Sequence, residues 1–156
     1  MILKKIISGG QTGADYTGIS IAKVMGLEAG GHCPKGFRTD IGSRPELGFY
    51  FGLVETSDTG YVKRTHLNAA NADGTVWFGN TSSPGYRCTV NGLMIANKES
   101  RFIVNPTGEA LAHWIVENNI EVLNVAGNRA RTNPDVAMQT RIALTDAIYL
   151  LQGEHQ

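Results

Sequence analysis

Short apolar runs alternate along this chain with longer segments whose apolar residues recur at helical spacing. The first run is continuous and rich in β-branched residues, which is typical of a strand covered on both faces. The apolar runs predict five strands: Ile2 to Ser8, Glu28 to Cys33, Gly74 to Gly79, Arg101 to Val104, and Val122 to Ala126.

The segments between the strands carry helical periodicity and end signals. Thr107 suits an N-cap, and Asn133 followed by Pro134 suits another, because proline is favoured in the first turn. The predicted helices are Thr12 to Met25, Gly60 to Asn71, Arg87 to Asn97, Gly108 to Asn118, and Pro134 to Leu151. Strands that alternate with helices predict a single-domain, Rossmann-like α/β fold, a doubly wound parallel sheet of about five strands.

Two stretches do not follow the alternation. Pro34 to Asp58 is rich in glycine, proline and charge and has no clear period, so we expect a long loop of functional importance. Residues 153–156 read as a short tail after a domain that spans residues 1–152.

Composition narrows the class of protein. The 156 residues are 42% apolar and carry 14 basic and 14 acidic side chains, so an electrostatic grip on nucleic acid or on a membrane is not expected. The N-terminus runs directly into the first strand and no apolar stretch spans a bilayer, so we expect a cytoplasmic protein. Cys33 and Cys88 lack metal-site spacing, which predicts two reduced thiols and no metal.

The stretch ISGGQTGAD, Ile7 to Asp15, joins the first strand to the first helix. Backbone N–H groups at such a helix start favour an anion, so the predicted ligand contacts are Gly9, Gly10, Gln11, Thr12 and Gly13. The alternative is that the glycines only make the turn while Thr12 caps the helix. Asp15 either caps the helix or faces a ligand hydroxyl. Neither the dinucleotide pattern nor the P-loop pattern is present, so nucleoside triphosphate hydrolysis has no support.

Further candidates follow the other strands. Lys35 and Gly36 lie in CPKG after the second strand, and Arg64 and Asn68 share one face of the second helix. The segment after the third strand contributes Ser82, Gly85, Arg87 and Thr89 as donors for a second anion site. Arg129 after the fifth strand meets either phosphate or solvent. The alternative for each charged candidate is a solvated or purely structural role.

Four blocks carry a resemblance over nearly the whole chain: ISGGQTGAD, GGHCPKG (Gly30 to Gly36), ETSDTGYVKRTHLNAANADGT (Glu55 to Thr75) and LNVAGNR (Leu123 to Arg129). In this order and spacing the chain resembles the molybdenum cofactor carrier family. That family belongs to a wider group of Rossmann-like nucleotide-binding domains, which includes the lonely-guy phosphoribohydrolases and the DNA-processing protein A domain. The resemblance favours Arg64 and Asn68 as site residues.

The chain departs from the family pattern at three places. Tyr16 replaces a usual arginine, His32 replaces a common tryptophan, and Pro84 to Thr89 replaces a usual GGT. In the phosphoribohydrolases the corresponding loop carries a catalytic glutamate, and Gly92 stands at that position here. No catalytic residue is therefore predicted, although Asp15 or Glu55 could substitute.

These observations favour a binding protein over an enzyme. We expect it to carry or sequester a phosphorylated nucleotide or nucleotide-like cofactor. The resemblance implies molybdenum cofactor as the ligand, and a cyclic or ADP-ribose-type signal nucleotide is the rival. The alternative is a nucleotide-processing N-glycosidic hydrolase of the phosphoribohydrolase type. The aromatic run Phe49 to Phe51 leaves a homo-oligomer as a further alternative.

Overall fold

A five-stranded, all-parallel sheet forms the centre of the protein in the computed structural model, which describes residues 1–153. Its strands, in chain order, are β1 (Lys5–Ile7), β2 (Glu28–Gly30), β7 (Gly74–Phe78), β8 (Phe102–Val104) and β9 (Val122–Gly127). The helices are α1 (Ala14–Val24), α2 (Glu46–Phe49), α3 (Val62–Asn71), α4 (Pro84–Ile95), α5 (Gly108–Glu117) and α6 (Val136–Gly153). The predicted single-domain, Rossmann-like doubly wound sheet is confirmed.

The second predicted strand is divided in two. Glu28–Gly30 stays in the central sheet, whereas β3 (His32–Cys33) pairs with β6 (Val54–Glu55) in a separate ladder. Gly31 makes the break with φ +124°, a left-handed conformation that glycine tolerates. A side chain there would also overlap the Ser8 carbonyl, 2.2 Å from the position of a Cβ.

The segment predicted as a long loop contains short elements. A 3₁₀ turn (Lys35–Phe37) is followed by a small antiparallel hairpin of β4 (Arg38–Thr39) and β5 (Gly42–Ser43), and then by α2. Leu47 and Phe51 in this segment pack with Ile19 and Cys33 in a second, smaller core. The segment therefore covers part of the sheet. Of the predicted tail, Gly153 lies in α6, and residues 154–156 lie outside the described residues.

The sheet order is β2-β1-β9-β7-β8. Counted from β7 through β8 and β9 and then from β1 to β2, the strands take the spatial order 2-1-3-4-5. That is the flavodoxin-type doubly wound order, so the chain follows it in circularly permuted form. Its topological switch point lies between β7 and β9, where open α/β sheets bind ligands at the carboxyl ends of their strands.

Helices cover both faces of the sheet. α1, α5 and α6 pack together on one face, and α3 and α4 pack together on the other. All five residues of β7 are buried, as expected for a strand covered on both sides. Throughout residues 1–153, no helix has both the length and the apolar character needed to span a bilayer.

Gly18 sets the distance between α1 and β9, because a Cβ there would lie 2.8 Å from Val125 Cβ. Gly-to-Ala substitution inside a helix ordinarily stabilises by about 1 kcal/mol. We expect Gly18→Ala instead to lower the free energy of unfolding by about 1 to 3 kcal/mol, through overpacking. Urea denaturation measures the change. Gly153→Ala, where a Cβ meets nothing within 4 Å, is the matched control and is expected to cost nothing. A stable Gly18→Ala variant would contradict this account of the contact.

Candidate functional site

Two adjoining cavities lie at the switch point. The inner one has a volume of about 40 Å³, and the outer one about 420 Å³. The outer volume falls in the usual range for small-molecule sites, roughly 300–1,000 Å³. The two cavities share six lining residues, Asp15, Arg64, Thr65, Trp77, Gly85 and Gly127.

Asn128, directly after β9, connects the loops that surround the cavities. Its backbone carbonyl accepts from Ala14 N–H (3.2 Å), at the start of α1. Its side-chain Oδ1 accepts from Asn80 N–H (2.6 Å), and its Nδ2 donates to Ser83 Oγ (3.3 Å), the N-cap of α4. Asn128 is 4% exposed, so these bonds are shielded from water. One buried amide thus fixes two helix starts relative to the end of β9.

Asp15 and Arg64 form a buried ion pair on the cavity wall. Arg64 Nη1 donates to Asp15 Oδ2 at 2.9 Å, and their side chains are only 14% and 5% exposed, respectively. The same Oδ2 accepts weakly from Gln11 N–H at 3.4 Å. Burial raises the pKa of Asp15, while Arg64, the Gln11 N–H and Arg129 act in the opposite direction. Gly9 makes room for the pair, because a Cβ there would overlap Arg64 Nη1.

Three guanidinium groups surround the ring of Tyr61. Arg129 lies 4.2 Å from the ring centroid, Arg38 5.3 Å and Arg64 5.5 Å. Such positions are typical of cation–π contacts. We call Arg38, Arg64 and Arg129 the arginine cluster. Tyr61, Arg64 and Arg129 line the outer cavity. The cavity mouth therefore concentrates positive charge in a chain whose formal net charge is zero.

The start of α4 adds backbone donors to the same cavity. Ser83 caps the helix and accepts from Tyr86 N–H, and Pro84 occupies the first turn. The Gly85 N–H belongs to the first turn, whose N–H groups have no acceptor within the helix, and Gly85 lines both cavities. The helix dipole adds partial positive charge at this point. The arrangement suits an anion.

The structure brings half of the sequence-predicted site residues to the cavities. Those that line one or both are Gly9, Gln11, Asp15, Arg64, Asn68, Gly85 and Thr89. Those that line neither are Gly10, Thr12, Gly13, Lys35, Gly36, Ser82 and Arg87. In the second set, Gly10, Thr12, Gly36 and Ser82 have hydrogen-bond partners elsewhere.

Two backbone N–H groups of the glycine-rich loop after β1 bond within the protein. Gly10 N–H donates to Ser8 Oγ, and Gln11 N–H donates to Asp15. A carboxylate of the chain thus occupies the place expected for an external anion. Thr12 does not cap α1, since its hydroxyl donates to the Asp40 carboxylate at 2.9 Å. Gly13, with φ +89°, lets the loop approach the Asn128 carbonyl.

Other members of the second set bond locally. Gly36 N–H donates to Glu55 Oε1 at 2.7 Å, and Lys35 is exposed beside it. Ser82 bonds to Asn80 within a turn. Arg87 lines a separate groove between α3 and α4.

The polar face expected on the second helix has two roles. Asn68 accepts from His32 N–H (2.8 Å) and donates to the His32 carbonyl (3.0 Å), so it holds β3 against α3. Arg64, one turn earlier, carries the ion pair. Both residues line the inner cavity, and Asn68 also has a structural role.

Sequence reasoning did not anticipate Trp77, Tyr61 or Asn128. Trp77 reads as an ordinary core residue, and Tyr61 falls in the first turn of the predicted helix Gly60 to Asn71. Asn128 lies in the block LNVAGNR, whose position at the end of β9 was the available signal. The two thiols take no evident part, because burial raises the pKa of Cys33 to about 11. Cys88 lines the outer cavity as a single thiol.

The permuted doubly wound sheet, with its crevice at the switch point, defines the class as a Rossmann-like domain. Residues 6–148 match the circularly permutated YpsA SLOG family, and the chain belongs to that family. Its structure is similar to the crystal structure of a "Putative molybdenum carrier protein" from Syntrophus aciditrophicus SB. The two are 31% identical with a TM-score of 0.84, covering 94% of this chain and 95% of that one. The search of curated proteins gave no match. The family expected from the sequence is confirmed.

Removing the cation of the buried pair tests its role in stability. We expect Arg64→Met to lower the free energy of unfolding at neutral pH by about 3 to 5 kcal/mol, because an unpaired carboxylate stays buried. Since the folded-state pKa of Asp15 is raised, and rises further without Arg64, protonation favours the folded variant. The deficit should therefore shrink as the pH falls through the folded pKa towards the unfolded value near 3.8.

Urea denaturation at pH 7 and pH 4 measures this pH dependence. Arg38→Met is the matched control, since Arg38 belongs to the same cluster but is exposed. Its effect should stay within about 0.5 kcal/mol at both pH values. If Arg64→Met lowers the free energy of unfolding by the same amount at both pH values, the carboxylate of Asp15 is not the group that is left unpaired.

Proposed function

We propose that the protein binds and holds a phosphorylated small molecule, a nucleotide or a nucleotide-like cofactor, in the outer cavity at the switch point. The observation that carries the proposal is the convergence of Arg129, Arg64 and the start of α4 on one cavity. Guanidinium groups and helix N-termini are both preferred partners of phosphate. The position at the carboxyl ends of parallel strands agrees with where such folds bind ligands.

The charge arrangement supports a ligand phosphate at the cavity mouth rather than at its inner wall. Arg64 is already neutralised by Asp15 at 2.9 Å. Arg129 contacts the Tyr61 ring, and no carboxylate lies within 4.0 Å of its guanidinium among residues 1–153. Its charge is thus available to an external anion.

Binding without conversion is the version of the proposal that the residues support best. Gly92, at the position of the phosphoribohydrolase glutamate, lies in α4 on the side that faces α3, where a Cβ would be 3.0 Å from His66. A glutamate there would require the His66 side chain to shift. Transport or sequestration of a ligand requires no such group. The description of the similar Syntrophus protein as a "Putative molybdenum carrier protein" agrees with this role. Molybdenum cofactor and a cyclic or ADP-ribose-type signal nucleotide are both candidate cargoes.

The proposal is tested by titrating the protein with the four nucleoside 5′-monophosphates, alongside mass spectrometry of any small molecule that co-purifies. We expect saturable binding that weakens as salt is raised, because screening reduces exposed electrostatic attraction. Arg129→Met should weaken binding about tenfold or more, since a charge-assisted hydrogen bond is lost. Arg131→Met, an exposed neighbour, is the control and should change the affinity less than about twofold.

Two results would count against this function. One is the absence both of a co-purifying phosphorylated compound and of any nucleotide binding. The other is efficient release of the base from a nucleoside monophosphate, which would favour the hydrolase alternative.

A further inference from the structure

Asp15 presents an unused acceptor to the cavities. Its Oδ2 takes the bonds from Arg64 Nη1 and from Gln11 N–H. Among residues 1–153 no donor bonds to the other oxygen, Oδ1, and Asp15 lines both cavities. Paired with Arg64 Nη1 at 2.9 Å, the ionised carboxyl of Asp15 offers acceptors only. The unused oxygen is an atom through which a ligand can be recognised.

A phosphate dianion is repelled from the unused oxygen of an ionised Asp15. Two oxyanions in contact repel each other, and neither supplies a hydrogen. The donors suited to a phosphate, Arg129 and the Gly85 N–H, line the same outer cavity. The cavity thus has one part suited to an anion and another suited to a neutral hydrogen-bond donor.

We propose that Asp15 is a specificity residue, which accepts a hydrogen bond from a hydroxyl or amino group of the ligand while Arg129 and the start of α4 hold its phosphate. The inference rests on the proposed function and adds the ligand class to it. The site takes phosphorylated compounds with a free donor on the carbon skeleton, such as sugar phosphates with unsubstituted hydroxyls. It discriminates against bare phosphates and against analogues without hydroxyls.

Two probes that differ only in donors test the inference in the unaltered protein. Ribose 5-phosphate has three ring hydroxyls, and tetrahydrofurfuryl phosphate has the same ring and phosphate with none. An NMR titration resolves their weak affinities. We expect ribose 5-phosphate to bind about tenfold or more tightly, because an acceptor that is left buried without a donor is costly.

Asp15→Asn then assigns the discrimination to this residue. Arg64 Nη1 and the Gln11 N–H both donate, so they hold the amide oxygen at the Oδ2 position. The NH₂ group then replaces Oδ1, and an acceptor becomes a donor. We expect the preference for ribose 5-phosphate to disappear and the affinity for inorganic phosphate to rise. Arg129→Met should instead weaken both probes by the same factor and keep their ratio.

The outcomes separate this inference from the function on which it rests. Equal affinity of the two probes for the unaltered protein would overturn the specificity role and leave phosphate binding intact. Failure of both probes and of every nucleoside monophosphate to bind would overturn both. A preference that persists in folded Asp15→Asn would assign the discrimination to another residue. If Asp15→Asn does not fold, the comparison of the two probes in the unaltered protein decides.

Discussion

The side chain and backbone of Asn128 hold the carboxyl edge of the sheet together. One buried residue reaches the first turn of α1, the chain after β7 and the cap of α4. Close contact with Asn128 requires glycine at two neighbouring positions. A Cβ at Gly79 would lie 2.2 Å from Asn128 Oδ1, and one at Gly13 would lie 2.4 Å from the Asn128 carbonyl. The cavity has its shape because the β1–α1 loop and the β7–α4 loop are both bonded to Asn128.

The charged residues at the cavity lie in two places, on its buried wall and at its mouth. Arg64 and Asp15 neutralise each other on the buried wall, at a distance that permits a charge-assisted hydrogen bond. Arg129 lies two residues after the end of β9, beside Tyr61, and keeps its charge at the cavity mouth. Because the wall pair contributes no net charge, the field at the mouth comes mainly from Arg129, Arg38 and the start of α4.

Local signals predicted the architecture well, and long-range contacts limited the prediction of the site. Strand and helix periodicity identified five strands and five helices, and i, i+4 spacing on α3 placed Arg64 and Asn68 on one face. The glycine-rich loop predicts an anion cradle, and its pattern does not reveal that Asp15 accepts from the Gln11 N–H. The contacts of Tyr61 with Arg129 and of Asn128 with Asn80 join segments far apart in sequence, and no period encodes them. The permuted strand order is likewise invisible to local patterns.

The permuted order has a consequence for how the chain folds. β1 is the first strand of the sheet to be made, yet it lies inside the sheet, where Lys5 pairs with Val122 of the strand made last. Until β9 is available, one edge of the β1–α1–β2 unit exposes unpaired backbone groups. The high contact order of this pairing predicts slow completion of the sheet and an aggregation-prone nascent state. The permuted strand order that places the cavities at the centre of the sheet thus also makes this centre the last part of the sheet to pair.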